Sequence, residues 1–235
     1  MSSNVILHGD ARELGQHINR PINAIVTDPP YGINFVSNQV RRKQDSQKFA
    51  RPVEADATPD AATILFSEVM EPLLPMCAEE CELYVFSTWQ LLDVWMPLVR
   101  EIPDFKLKQM LVWDKGYPGM GDLAGNWACG HEIILYLKKG RRTLPYRRSG
   151  VLHVERMATK KNIHPTEKPV QLLEILIEMS TNKGDFVVDP FSGSGSTSLA
   201  ARNLGRDSLA FEVDEAYVKA GRERLATPSL FEPID

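Results

Sequence analysis

The chain has 235 residues and lacks any apolar run long enough to cross a bilayer. Its opening stretch, Met1 to Asp10, has no basic-then-apolar leader pattern. A membrane protein and an exported one are therefore disfavoured, and a soluble, cytoplasmic protein is expected. Cysteine is scarce. Cys77, Cys81 and Cys129 make an odd count without paired Cys-x-x-Cys units, which argues against a disulfide framework and against a four-cysteine zinc site. All three read as core or incidental, and no metal site is expected. Charged residues make up 25% of the chain and apolar ones 43%, so a largely disordered chain is excluded too.

Positive charge is scarce overall, with a net charge of −4, but it is unevenly placed. Residues 138–161 hold nine basic groups against Glu155, and residues 34–52 hold five against Asp45. An acidic body with two basic segments suits a polyanion that touches one face. Two solvated loops would look the same in composition alone.

Apolar, β-branched runs recur along the chain at Val5–His8, Ala24–Thr27, Glu82–Thr88, Lys106–Trp113, Glu132–Lys138, Phe186–Asp189 and Ser208–Val213. Several are nearly unbroken, as strands covered on both faces require. Helical periodicity lies between them. Leu172, Leu173, Leu176 and Met179 form one stripe in Val170–Ser180, with Pro169 read as its first helical position. Thr197–Leu204 is a short helix ended by Gly205, and Asp214 is a good N-cap for a helix through Leu225. Ala61–Met76 also reads as helix, with Pro72 and Pro75 expected to kink or end it. Strands alternating with helices predict a doubly wound, mostly parallel α/β sheet of seven strands with helices on both faces. The stretches 34–60, 116–130 and 140–162 resist assignment, and loops of that length are usually functional or disordered. Trp89, Trp95, Trp113 and Trp127 read mostly as core, with Trp89 placed to line a pocket because it follows a strand end.

Two stretches carry chemistry. The run Ala24–Thr27 leads straight into Asp28-Pro29-Pro30-Tyr31-Gly32. In open α/β sheets ligands bind at the carboxyl ends of strands. The prolines stiffen the turn and leave carbonyl acceptors free. Asp28 and a proline carbonyl can together accept both protons of an amino group, and Tyr31 can stack on a flat ring. A proline turn with an N-capping aspartate would use the same residue types, but the full tetrad after an apolar strand favours a site.

The second stretch runs Phe186-Val187-Val188-Asp189-Pro190-Phe191-Ser192-Gly193-Ser194-Gly195-Ser196-Thr197, a strand, a glycine turn and a helix start. The next strand ends at Glu212, where an acid can hold ribose hydroxyls. Ser198 stands where a dinucleotide fingerprint wants its third glycine, and no lysine follows Gly195 as a phosphate loop would need. An adenosine ligand without a pyrophosphate fits better, and S-adenosylmethionine is such a ligand.

Taken in this order, the motifs resemble the beta class of DNA amino-methyltransferases, which methylate adenine N6 or cytosine N4. The resemblance implies a Rossmann-like methyltransferase sheet, with residues 1–235 as a single catalytic domain. That domain would carry a mobile basic loop at about 34–60 and a short DNA-recognition segment at about 138–162. It also implies roles. Asp28, Pro29, Pro30 and Tyr31 are the catalytic motif. Asp10, Asp28, His164, Thr166, Lys168, Asp189, Pro190, Phe191, Gly193, Gly195, Ser196, Thr197 and Glu212 bind S-adenosylmethionine, with Lys168 meeting the cofactor carboxylate. Arg41, Arg42, Lys43, Arg141, Arg142, Arg147 and Arg148 bind double-stranded DNA. Dimers are common in the class, although no residue here demonstrates one. Aspartate at position 28 points to adenine, because the cytosine-N4 members more often carry serine there; cytosine N4 is the nearest alternative and an RNA substrate a more distant one. None of the three cysteines follows a proline, so cytosine-C5 chemistry is not indicated. His8 and His131 read as structural.

Overall fold

The computed structural model describes residues 3–32, 58–117, 125, 127–155 and 167–227. Eight strands form one sheet: β1 (Asn4–His8), β2 (Ile22–Thr27), β3 (Cys77–Ser87), β4 (Lys106–Asp114), β5 (His131–Lys139), β6 (Val151–His153), β7 (Phe186–Asp189) and β8 (Asp207–Glu212). They lie in the order β1-β8-β7-β2-β3-β5-β4-β6. All neighbours from β1 across to β3 are parallel. β5 alone is reversed against β3 and β4, and β6 runs parallel to β4.

Seven of these strands are those expected from the apolar runs, and the mostly parallel architecture is as expected. The eighth, β6, corrects the strand count. It lies inside the basic stretch read as a loop. Three residues with Leu152 alone buried hold no readable period, and pairing with β4 is what makes them a strand.

Five helices cover the sheet: α1 (Pro59–Leu73), α2 (Leu92–Arg100), α3 (Val170–Ser180), α4 (Ser196–Asn203) and α5 (Glu215–Ala226). The Thr58 hydroxyl accepts from the Ala61 N–H and caps α1, so the helix starts inside the span expected for the basic loop. Pro72 sits in its last turn, and Pro75 follows in a 3-10 turn over Leu74–Met76. α2 was not legible, since Pro97 interrupts a nine-residue span; Trp95 and Val99, four apart, anchor it in the core. Pro169 is the N-cap of α3, one place before the position the sequence suggested. The Asp214 carboxylate caps α5 by accepting from the Ala216 N–H.

Strand alternation sorts the core. Leu83 and Val85 of β3 face Phe66 and Val69 of α1 and Trp95 of α2. Tyr84 and Phe86, from the intervening positions, pack with Leu172, Leu173 and Leu176 of α3 and with Ala200 and Ala201 of α4. On the outer part of that face Val218 of α5 covers Ile6 and Ala210. Both faces are thus roofed, which is why the strands read as near-continuous apolar runs. Trp95 and Trp113 are core residues as expected, but Trp89 and Trp127 are exposed, and so is Cys129; Cys77 and Cys81 are buried. These three exposed residues lie beyond strand ends, where no helix covers them. Among the described residues no helix is long and apolar enough to cross a membrane.

The strand order has one consequence for function. The chain leaves β2 toward β3 and leaves β7 toward β8, in opposite directions along the sheet. β2 and β7 are neighbours, with Ala24 beside Val187 and Ile25 beside Val188. Connections that diverge from adjacent parallel strands leave a crevice at their carboxyl ends.

Candidate active site

The two motifs occupy the two lips of that crevice. Asp28 follows the last residue of β2, and Asp189 is the last residue of β7. With neighbouring strands spaced about 4.8 Å apart, the register holds the two carboxylates at one opening.

On the β2 lip the chain turns through the two prolines to Tyr31, whose hydroxyl donates to Asp28 Oδ1. Lys168 Nζ donates to Asp28 Oδ2. The turn closes at Gly32, with φ +79°. A Cβ there would stand 2.2 Å from the Thr58 carbonyl oxygen and 2.3 Å from Pro59 N, so only glycine fits. Gly32 and Thr58 therefore touch at the close of the turn that begins at Asp28.

Lys168, buried just before the N-cap of α3, has two acidic neighbours. Besides Asp28 it lies 3.3 Å from Glu132 Oε2, and its ammonium sits 5.0 Å from the centre of the Phe86 ring. Glu132 Oε1 in turn lies 2.8 Å from Lys115 Nζ. Burial opposes charge on both Lys168 and Glu132. The two carboxylates nevertheless hold the Lys168 pKa above the usual lysine value, and the two ammonium groups hold Glu132 below the usual carboxylate range.

On the β7 lip the Asp189 carboxylate accepts from the Phe191 N–H at 3.1 Å and from the Thr197 side chain. Gly193 and Gly195 both have positive φ. At Gly195 an added Cβ would lie 2.5 Å from Ile6 Cδ1, so the turn is pressed onto β1. Glu212 ends β8 and fixes the turn: Oε2 accepts from the Gly193 N–H at 2.8 Å and Oε1 from the Asp214 N–H at 2.9 Å. Each oxygen keeps a lone pair for a ligand hydroxyl. Burial raises the Glu212 pKa and pushes Asp189 up to about 7, with the charges of Asp28 and Glu212 adding to the latter. A buried carboxylate raised by its acidic neighbours marks a place that favours a cation.

Asp10 lies past the end of β1, next to the Glu212 strand end, since the Gly9 N–H donates to the Glu212 carbonyl. Its carboxylate caps the following 3-10 helix and pairs with Arg12, which lowers its pKa. Pro190, Phe191 and Ser196 lie within the turn or at the start of α4. His164, Thr166, Arg41, Arg42 and Lys43 fall outside the described residues.

The start of the second basic stretch does not lie at the crevice. β5 is antiparallel, so Arg141 and Arg142 emerge at the opposite edge of the sheet, beside the entry to β7. Arg142 is held there, its Nη2 donating to Asn182 Oδ1 at 3.2 Å and its Nη1 lying 3.8 Å from Asp185. Tyr146 of the same stretch donates to Glu178 of α3. Arg141, Arg147 and Arg148 are exposed.

Sequence reasoning missed Glu132 and Lys115 as site residues, and also Arg224. From α5, Arg224 Nη1 lies 3.0 Å from both Ser194 O and Ser194 Oγ, and 3.0 Å from Glu167 Oε1. It thereby ties the glycine turn to the segment that carries Lys168. Glu132 had one available signal, its place directly after His131 at the start of β5; Arg224 had none.

The DNA methylase family profile matches residues 22–223, and the chain belongs to that family. It is similar to the methylase YubD of Escherichia coli (strain K12), with 31% identity over 205 residues, covering 87% of this chain and 82% of the relative. It is also similar to the DNA adenine methyltransferase YhdJ of the same organism, with 26% identity, covering 95% of this chain and 83% of the relative. Among solved structures, the cytosine-N4-specific PvuII DNA methyltransferase shares the fold with a TM-score of 0.72 at 16% identity, covering 98% of this chain and 89% of the other.

Proposed function

We propose that this protein is a cytoplasmic, S-adenosylmethionine-dependent DNA methyltransferase that modifies the exocyclic N6 of an adenine flipped out of a specific duplex sequence. The observation that carries the reading is the shared crevice, with an amine-accepting carboxylate on the β2 lip and a ligand-ready glycine turn on the β7 lip.

The residues present suit the cofactor. Glu212 offers lone pairs to ribose hydroxyls, Asp189 with its acidic neighbours suits a sulfonium charge, and the buried Ser192 Oγ has no hydrogen-bond partner among the described residues. When bound, S-adenosylmethionine supplies an electrophilic methyl group that requires a nucleophile in line. His164 and Thr166 belong to the segment leading to Lys168 and would close the methionine end, with Asp10 near the adenine.

An exocyclic amine on a purine is a poor nucleophile, because its lone pair is delocalised into the ring. Asp28 and the Pro29 carbonyl accept its two protons and favour a pyramidal nitrogen with a free lone pair. In the structure the Tyr31 hydroxyl occupies Asp28 Oδ1. The incoming amine replaces that hydroxyl, and the Tyr31 ring stacks on the extruded base. Rate acceleration then comes from positioning and from fixed dipoles, without a covalent enzyme intermediate.

Phosphate contact falls chiefly to Arg41, Arg42 and Lys43, because their segment leaves and rejoins the fold beside Asp28. Arg141, Arg147 and Arg148 reach only a duplex lying along the flank, and Arg142 is engaged by Asn182 and Asp185. Incubation with unmethylated DNA and labelled cofactor, followed by digestion to nucleosides, tests the assignment. Label in N6-methyladenine supports it, label in N4-methylcytosine replaces the base, and no label in either rejects the reading.

A further inference from the structure

Part-buried charges form an alternating row that starts at Asp28: Asp28, Lys168, Glu132, Lys115. The row starts at the catalytic carboxylate, passes through the residue before the N-cap of α3, and ends on β5 and just past β4. No member is adjacent in sequence to the next. Lys168 sits among protein groups, with a carboxylate on each side and the Phe86 ring on a third. An ammonium has three donors; one goes to Asp28 Oδ2, and Glu132 Oε2 and the Phe86 ring lie close on two further sides. Glu132 is held from its other oxygen by Lys115, which rests 5.3 Å from the centre of the Trp113 ring.

We infer that Glu132 is a positioning residue for methyl transfer, acting through Lys168, and that Lys168 serves Asp28 and not the carboxylate of the cofactor. Lys168 fixes Oδ2, so Oδ1 is the one carboxylate oxygen presented to the target amine. Glu132 supplies the counter-charge that keeps the Lys168 ammonium on that line. Without it, a buried ammonium with one acidic neighbour draws toward Asp28 and turns the carboxylate out of line with the amine. A displacement of about 1 Å at a reacting group costs on the order of 100-fold in rate. The inference deepens the proposed function and rests on it.

The test uses the full chain with unmethylated bacteriophage DNA, and measures cofactor affinity calorimetrically beside turnover. Glu132→Gln keeps the shape and removes the charge. It is expected to lower kcat by about 100-fold while cofactor affinity stays close to that of the parent protein. Lys168→Met is expected to do the same, and the double variant to be no worse than either single change, because both act through one carboxylate. If Glu132→Gln does not fold, Glu132→Asp keeps the charge at shorter reach, and a loss of kcat with unchanged cofactor affinity is the supporting result there as well. Parent-like kcat in a folded Glu132→Gln or Lys168→Met protein overturns the inference. So does a loss of cofactor affinity that matches the loss of turnover, which would return Lys168 to the cofactor. Asp28→Ala separates the two levels. If it is inactive while Glu132→Gln is fully active, only the positioning role fails; if it too is fully active, the amine-accepting role of Asp28 fails with it.

Discussion

Two buried carboxylates, one toward each edge of the sheet, are both pushed up to about 7 by burial: Asp189 at the end of β7 and Glu82 within β3. Their surroundings differ. Asp189 accepts from Phe191 N–H and the Thr197 side chain, and it lies at an opening shared with Asp28 and Glu212. Glu82 is fully buried, and neither of its oxygens has a hydrogen-bond partner among the described residues. Its relief comes from Lys138 at 3.9 Å and from the charge of Arg142. At the carboxyl edge the acids are organised by donors and suit a cationic neighbour. At the other edge the bases compensate a resident acid. The same ingredients serve recognition at one edge and internal neutralisation at the other.

The sharpest way to break that contrast is at the crevice. Asp28→Ala is expected to lower turnover by about 1,000-fold with cofactor binding largely intact, as loss of a group aimed at a developing charge does. Substantial turnover in this variant, in the nucleoside assay, would remove Asp28 from the chemistry.

Glu82→Gln comes next. The Glu82 pKa is raised on folding, so below about 4.5 both states are protonated and no penalty arises. As pH rises from there to about 7 the unfolded chain ionises first and stability is lost; above 7 the loss is constant. The shift corresponds to roughly 3 kcal/mol. Denaturant titrations should therefore find the variant close to the parent at pH 5 and more stable at pH 8. An equal difference at both values would mean that Glu82 is not the titrating group.

Tyr31→Ala should weaken the productive complex by about 1–3 kcal/mol through lost stacking on the base. Turnover equal to the parent at subsaturating DNA would exclude the ring from that role. The smallest effect is expected at the opposite edge. Arg142→Ala should lower stability by about 1 kcal/mol and leave the salt dependence of DNA affinity unaltered. If the slope of log affinity against log salt instead falls by about one, that edge contacts phosphate after all and the contrast dissolves.

What was legible in the sequence follows from how local each signal is. Asp28 and Asp189 each sit in a short run in which strand, turn and chemistry are contiguous, and the structure brings the two runs to one crevice. Glu132, Lys115 and Arg224 act through sheet register and helix docking, so their partners are remote in the chain and no spacing announces them. Arg142 stood in a basic run that sequence could assign to DNA. The reversed direction of β5 is what carries it to the other edge, where Asn182 and Asp185 take it up. The edge strand β6 was hidden because three residues set no period.

The contact between Gly32 and Thr58 bears on how such an enzyme diversifies. Since Gly32 and Thr58 already touch, lengthening or shortening the stretch between them costs little in chain entropy. The number of residues between those two points can therefore change while the sheet and the β2 turn stay as they are. An engineer who wishes to vary that length has a ready pair of graft points at 32 and 58.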